Sequence, residues 1–386
     1  MAHDRGAAGR DVENAAMGHA LALARRGLGR VEPNPAVGAV VLGADGRIVG
    51  EGWHAAFGGP HAETMALAAA GPGARGATLV VTLEPCCHHG KTPPCTDAVI
   101  AAGIARVVVA SSDPFPEVAG RGLERLRAAG IDVAVGPRAA EAERLTAPYR
   151  RLVTAGRPWV TAKWAMSLDG RIATCAGDAR WISGAESRSV VHSLRGRMDA
   201  VLVGIGTALA DDPLLTARPA GPRVALRVVA DSLARLPLGS RLVRTAREVP
   251  VLVAVGPSAP AERVAALEAA GCEVWRGCQP DGTERLRALL AHLGGRRITN
   301  LLAEGGTGLF GALLDAGLID EVWAFAAPLL LGGAAAPAVI GGQGVPRIAT
   351  APRLEVEEVT RVGDDVLFRG IVVAGAGVTA GAERGA

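Results

Sequence analysis

Aromatic residues are scarce in this chain: six Trp, five Phe and a single Tyr among 386 residues, 3% in all. With an apolar fraction of 49%, Val, Leu, Ile and Ala must therefore fill the cores. Lysine is rarer still. Lys91 and Lys163 stand alone among 41 basic residues, and Asn occurs only at Asn14, Asn34 and Asn300. Where Arg serves nearly every basic position, a surviving Lys points to a place where that swap fails. There is no basic stripe either. Arg is spread along the whole chain and 38 acidic residues nearly balance it, so a polynucleotide partner is not expected. The first residues, 1–14, have no apolar run, so no secretory leader is expected. The longest uncharged stretch, 322–346, is broken by Pro328, Pro337 and two Gly-Gly pairs, which excludes a membrane span. Six Cys are too few for a disulfide framework at this length. Cys86, Cys87 and Cys95 fall close together, which favours metal or catalytic use in a reducing compartment, and a cytoplasmic location.

The length predicts at least two domains. Residues 12–26 carry helical apolar spacing. Residues 37–42 and 47–53 flank Asp45-Gly46 and predict a β-hairpin. Helices are predicted near 62–70, 96–102 and 122–129, alternating with strands near 77–83, 107–110 and 133–135. A closing helix, 141–153, should bend at Pro148. Gly156-Arg157-Pro158 reads as a junction. A second series predicts strands near 160–164, 200–203, 224–230, 251–255, 273–275, 300–303, 321–328 and 365–373. Helices are expected between them near 185–194, 261–270, 283–293 and 309–316. Helices alternating with short apolar strands predict α/β layers in both halves. Residues 1–10 and 374–386 are expected to be disordered tails.

The strongest chemical signal is His61-Ala62-Glu63 followed by Glu84-Pro85-Cys86 and Cys95. One imidazole and two thiolates suit a catalytic Zn²⁺ that keeps a fourth position for water. A carboxylate two residues from the His can move protons without ligating. This is the logic of zinc-dependent base deaminases. Spacing alone does not show that His61 and Glu63 converge, since positions i and i+2 on a helix face apart. A closed structural zinc knot would instead need a fourth ligand from Cys87, His88 or His89.

The string from Leu83 to Cys95, LEPCCHHGKTPPC, is similar to the deaminase half of the bifunctional riboflavin-biosynthesis enzymes. Pro33-Asn34-Pro35-Ala36-Val37-Gly38, Gly52-Trp53-His54 and Pro60-His61-Ala62-Glu63 match in the same order. The resemblance covers about 11–150 and implies a cytidine-deaminase-like three-layer α/β/α domain. It implies Zn²⁺ on His61, Cys86 and Cys95, Glu63 as catalytic acid/base, and Asn34, His54, His88 and Lys91 around the substrate. The chain departs from the pattern at Cys87, where a small hydroxyl residue is usual, and at Phe115, where Asn is usual. The second departure removes an expected substrate contact.

Three strings mark the second half. Lys163-Trp164-Ala165-Met166-Ser167-Leu168-Asp169-Gly170-Arg171 reads as strand then turn. Val201 to Arg218 runs from a strand through Gly204-Ile205-Gly206 to Asp211-Asp212-Pro213. Glu304-Gly305-Gly306-Thr307-Gly308-Leu309-Phe310-Gly311 joins a strand to a helix, where bare backbone amides can approach a diphosphate. Together they resemble the reductase half of the same enzymes over about 158–373. The resemblance implies a dihydrofolate-reductase-like α/β domain. It implies NADPH on Ala165, Trp181, Thr207, Asp211, Ser232, Gly306, Thr307, Gly308, Leu309, Phe310, Gly311 and Ala312. Substrate falls to Lys163, Arg195, Leu215, Arg218 and Glu304, the arginines suiting a ribose phosphate. Ala179 stands where a polar contact is usual.

The expected activity is zinc-dependent deamination of a diaminopyrimidine ribosyl phosphate, followed by NADPH-dependent reduction of the ribosyl group to a ribityl chain. The expected partner is that small molecule, with no nucleic acid and no membrane, and the resemblance suggests a homo-oligomer. Two rivals remain open on the residues alone. One is a nucleobase or RNA deaminase with an unrelated second domain. The other is a non-catalytic zinc-stabilised nucleotide-binding module.

Overall fold

The structure is a computed structural model that describes residues 7–88 and 93–373. The chain divides at Gly156–Arg157 into two compact units. In the first unit, helix α1 (Ala7–Arg25) leads into strands β1 (Gly38–Leu42) and β2 (Ile48–Trp53). Then follow α2 (Ala62–Ala70), β3 (Thr78–Val81), α3 (Cys95–Ala101), β4 (Arg106–Val109), α4 (Arg121–Ala128), β5 (Asp132–Val135), α5 (Ala139–Leu145) and α6 (Ala147–Ala155). The sheet order is β2-β1-β3-β4-β5. β1 is antiparallel to β2 and β3, and β3, β4 and β5 run parallel.

Strand alternation sorts this sheet's side chains into two cores. Ala39, Val41, Leu79 and Val81 meet α2, α3 and α4 through Ala66, Val99 and Leu126. Val40, Leu42, Val80 and Val108 meet α1 and α5 through Met17, Leu21 and Ala142. The result is three layers, α/β/α. Gly52 lets α2 lie directly on β2, since a Cβ there would come within 2.7 Å of the Ala62 carbonyl oxygen.

α1 begins at Ala7, inside the segment 1–10 expected to be a tail. Its alanines favour helix and carry the first turn back beyond the amphipathic stretch. Residues 1–6, and the other expected tail, 374–386, lie outside the described residues. The predicted bend at Pro148 is a break between α5 and α6, with Pro148 in the first turn of α6, where its missing N–H is not needed. Gly156 then ends α6 in the left-handed conformation, φ 63°.

The second unit holds β6 (Trp159–Ser167), α7 (Ala185–Arg195), β7 (Ala200–Gly204), α8 (Ile205–Asp211), β8 (Leu226–Ala230), α9 (Arg241–Arg244), β9 (Val251–Val255) and α10 (Ala261–Ala269). It continues with β10 (Glu273–Arg276), α11 (Gly282–Gly295), β11 (Asn300–Ala303), α12 (Thr307–Asp315), β12 (Glu321–Ala327), β13 (Arg353–Val362) and β14 (Asp365–Val373). The nine-stranded order is β10-β9-β8-β7-β11-β6-β12-β14-β13, parallel up to β12 and closed by an antiparallel pair. One face packs on α7, α9 and α10 through Leu194, Leu242 and Leu267. The other packs on α11 and α12 through Leu290 and Leu313.

Three elements escaped the sequence reading: α8, the one-turn α9, capped by the Ser240 hydroxyl, and β13. α8 forms where a Gly-rich turn was expected, because only Gly206 interrupts good helix formers. β13 is an exposed edge strand whose glutamates hid its alternation. Among the described residues, no helix is long and apolar enough to cross a membrane.

Candidate active sites

In the first unit, His61 is the N-cap of α2, with extended backbone (φ −77°, ψ 162°), and Cys95 opens α3 behind Pro93-Pro94. Cys86 lies in the loop after β3. His61 Nδ1 lies 3.2 Å from Cys95 Sγ and 3.6 Å from Cys86 Sγ, and the Cys95 backbone N–H donates to Cys86 Sγ at 3.3 Å. All three ligand atoms lie within 4.8 Å of one another. The i, i+2 objection to His61 and Glu63 dissolves here. Because His61 precedes the helix, its ring is not bound to the helical period, and both side chains reach the same sulfurs. Glu63 is 3% exposed and interacts with Cys95.

Burial pushes the Glu63 carboxyl up to about 7, with the Cys86 sulfur adding to the rise. The hydrogen bond with Cys95 pulls the Cys86 thiol down to about 4 against the cost of burial, and His61 helps. That same bond, with burial, pushes Cys95 upward.

No fourth side chain joins the cluster among the described residues. Cys87 Sγ donates to the Glu117 carbonyl at 3.7 Å, and the His88 ring leans on Phe115 at 5.9 Å between centroids. His89 and Lys91 lie outside the described residues. His54 donates from Nδ1 to the Pro60 carbonyl at 2.9 Å, leaving Nε2 to accept from Asn34 Nδ2 at 3.3 Å. Its ring stands edge-on to His61 at 5.3 Å. Burial lowers its pKa and keeps it neutral. Asn34 and His54 thus adjoin the cluster, and His88 lies beside Phe115.

Glu84 stands in the quoted string Glu84-Pro85-Cys86 but was given no role of its own. Its buried carboxylate accepts backbone N–H groups from Asp113, Gly120, Gly122 and Leu123 at 2.9–3.3 Å. It ties the segment bearing Cys86 to the loop bearing Phe115.

In the second unit, a cavity of about 930 Å³ opens over the C-terminal ends of β7, β8, β9 and β11, where open parallel sheets bind ligands. Thr207, Asp211, Ser232, Gly306, Thr307, Gly308, Leu309 and Ala312 line it. Ala179 also lines it. Gly305 and Gly306 adopt φ 155° and 99°, and a Cβ on either would press on the Thr207 side chain. That pair gives a bare backbone cradle at the start of α12.

Four expected cofactor residues lie elsewhere. Phe310 is 2% exposed and packs edge-on against Trp164 at 5.6 Å. Gly311 is buried against Gly341 and Gly342, with no room for a Cβ. Both follow from the helix: once α12 starts at Thr307, positions 310 and 311 turn toward the core. Ala165 packs beside the core rather than lining the cavity. Trp181 is 69% exposed, with the Arg188 guanidinium 4.6 Å from its ring centroid.

A charged group gathers beside this cavity. Arg195 Nε donates to Glu304 Oε1 at 2.6 Å and its Nη2 to Oε2, a two-pronged pair, while Nη1 reaches the Thr216 carbonyl at 3.3 Å. Burial would raise the Glu304 carboxyl, but Arg195, with help from Lys163 and His192, holds it below the usual range. Burial lowers the Lys163 ammonium against the pull of Glu304; its Nζ sits 5.7 Å from the Phe325 centroid. Arg218 is exposed. Leu215 is 3% exposed at φ 56°, so only its backbone is left to meet a ligand. His192 was missed by sequence reasoning. Burial lowers its pKa, and the charges of Arg195 and Arg218 add to this. Its position, one turn before Arg195 on α7, was the available signal.

Residues 10–111 match the cytidine and deoxycytidylate deaminase zinc-binding region, and residues 158–368 match the RibD C-terminal domain. The riboflavin biosynthesis protein RibD of Actinobacillus pleuropneumoniae is 40% identical over 92% of this chain and 94% of that protein. The Escherichia coli protein of the same name is 42% identical over 91% of this chain and 96% of its own length. RibD of Acinetobacter baumannii superposes with a TM-score of 0.83 at 36% identity, covering 94% of this chain and 99% of the other. The chain therefore belongs to the RibD family, bifunctional riboflavin-biosynthesis enzymes that join a zinc-binding deaminase to an NADPH-dependent reductase.

Proposed function

We propose that the first unit deaminates a diaminopyrimidine ribosyl phosphate with Glu63 as its proton carrier, and that the second reduces the ribosyl group beside Arg195, Lys163 and Glu304. The observation that carries the reading is the meeting of three ligand atoms within 4.8 Å beside a buried carboxyl. His61, Cys86 and Cys95 fit zinc by their donor chemistry, with one sulfur already biased toward thiolate. When bound there, the ion supplies the Lewis acidity that makes water a nucleophile near neutral pH. Glu63, shielded from solvent, takes a proton from the attacking water and returns it to the ring and to the departing ammonia. Asn34 and His54 orient the base, while His88 and Lys91 serve the base or the phosphate.

The cavity fits a dinucleotide by its Gly305-Gly306 cradle at the N-terminus of α12. NADPH, when bound, supplies the hydride. Arg195, held rigid by Glu304, and the exposed Arg218 grip the ribose phosphate, and Lys163 meets the sugar. We place this work in the cytoplasm and in a homo-oligomer. The outward Val356 and Val359 on the edge strand β13 support the latter.

The test is incubation with the diaminopyrimidine substrate, with and without NADPH, and identification of products by mass. Without NADPH the product should carry oxygen in place of one amino group. With NADPH it should gain two hydrogens as well. Intact substrate and no ammonia would remove the first assignment, and a product that never gains hydrogen would remove the second.

A further inference from the structure

We propose that Arg285, together with Ser232, selects a phosphorylated dinucleotide over its unphosphorylated counterpart by holding a phosphomonoester on the adenosine ribose. The inference rests on the reading of the cavity as the dinucleotide site and names the residue that would set its preference.

Direction along the cavity comes first. Hydride has to be delivered beside Arg195, Lys163 and Glu304, at the β11 and β6 end. The cavity runs from there across β7, β8 and β9 to Trp275 on β10. Four strand spacings separate β11 from β10, roughly 19 Å. The adenosine end of a bound dinucleotide is thereby left to the β8–β10 side. Ser232 follows β8 there, and Arg285 stands in the first turn of α11.

Arg285 is built to wait for an anion. Its Nη1 donates to the Gln279 and Pro280 carbonyls at 2.7 and 3.2 Å, and its Nη2 to Ser232 Oγ at 2.8 Å. Gly277 and Gly256 have no side chains where the Arg285 side chain passes. A Cβ at Gly277 would lie 2.5 Å from Arg285 Cγ, and one at Gly256 would lie 3.4 Å from its Cζ. The guanidinium is thus fixed over the floor of the cavity. Among the described residues, no carboxylate pairs with it. The nearby carboxylates are committed elsewhere: Asp231 accepts the Leu236 N–H at 2.8 Å and faces Arg235 at 3.6 Å, Asp281 caps α11, and Glu284 faces Arg287 at 3.4 Å. A fixed guanidinium with no carboxylate partner, joined to a hydroxyl in a ligand cavity, matches a phosphate fork. Asp231 would otherwise favour an unphosphorylated ribose, but its charge is turned into the 231–236 turn.

The experiment is calorimetry of the full-length protein with adenosine 2′,5′-bisphosphate and with AMP, alongside NADPH and NADH. Wild type should bind the bisphosphate more tightly than AMP. Arg285→Gln should weaken the bisphosphate by about 10- to 100-fold, the scale of a charge-assisted contact, and leave AMP unchanged. Retained AMP binding reports an intact fold. Should Arg285→Gln fail to fold, Arg285→Lys and Ser232→Ala decide the matter on the same affinity ratio, each lowering it. An unchanged ratio in the folded variants overturns the proposal, as does a wild type that binds NADPH and NADH equally. A wild type that binds neither dinucleotide sinks the cavity reading itself, a separate failure.

Discussion

The two units solve the problem of charge in opposite ways. In the first, the reactive groups are packed into a small buried cluster, and its carboxyl, Glu63, is pushed up to about 7 because burial and the Cys86 charge outweigh the opposing pull of His61. In the second, an equally buried carboxyl, Glu304, is held below the ordinary range because Arg195 grips it with two bonds. Burial acts on both alike; the partner decides the sign. A carboxyl that can gain and lose a proton suits hydrolytic deamination. A carboxylate locked in an ion pair cannot shuttle protons and serves instead to position a guanidinium. The comparison predicts that each unit can be disabled by changing its carboxyl, without harm to the other.

The largest effect should come from Glu63→Gln. Deamination should fall by about two to four orders of magnitude, the span of general acid–base contributions. Zinc content, read by mass spectrometry, and the reduction of supplied deaminated substrate should stay near wild type. Residual ammonia release at the normal rate would deny Glu63 its role. Next is Arg195→Leu, which strands the Glu304 carboxylate. Breaking such a pair costs about 3–5 kcal/mol. The second unit should melt markedly earlier and lose reduction, while ammonia release continues.

Glu304 also gives this contrast a pH signature. Its folded pKa lies below the unfolded value of 4.5, so its stabilising contribution is complete above 4.5 and is lost as pH falls through the folded value. Denaturant titrations between neutral pH and pH ~3.5 should show a shallower acid loss in Glu304→Gln than in wild type. Equal slopes would mean the pair does not hold the carboxyl down.

The two sites also differed in how far they could be read from the sequence. The deaminase site is written in short strings. His61, Glu63, Cys86 and Cys95 sit at the ends of local elements, and the fold needs only to bring two loops together. What spacing could not supply was the N-cap geometry of His61, which is a property of where α2 starts. The reductase site is assembled from the ends of β7, β8, β9 and β11 and from Lys163 within β6, all far apart in sequence. The Gly-rich string located the cradle at Gly306, whereas Phe310 and Gly311, which entered through the resemblance, are turned toward the core by the rotation of α12. Arg285 and His192 were invisible among 39 arginines and eight histidines. Their meaning comes from Ser232 and Arg195, neighbours that only the sheet order provides. The layer architecture was legible throughout, because buried parallel strands appear as apolar runs. The exposed β13 carried no such run.

The smallest expected effect concerns Tyr149, the only tyrosine, on α6 at the end of the first unit. Its hydroxyl donates to Asp113 Oδ1 at 2.9 Å, and that same oxygen accepts the Phe115 N–H at 2.9 Å. Tyr149 therefore helps hold the loop that carries Phe115, through the same Asp113 whose N–H Glu84 accepts. Burial raises the phenol above its usual value of 10, and the Asp113 charge adds to the rise. The neutral phenol thus contributes fully below pH 10, and its contribution is lost as pH climbs through the folded value. Tyrosinate absorbance should appear only as the first unit unfolds in alkali, and Tyr149→Phe should cost about 1 kcal/mol in that unit alone. A free phenol titrating near 10 in the folded chain would place Tyr149 outside the network. The loop bearing Phe115 would then depend on Glu84 and on the Arg150 bond to the Ser112 carbonyl, and the first unit's site would be less tightly braced than the Arg195–Glu304 pair makes the second.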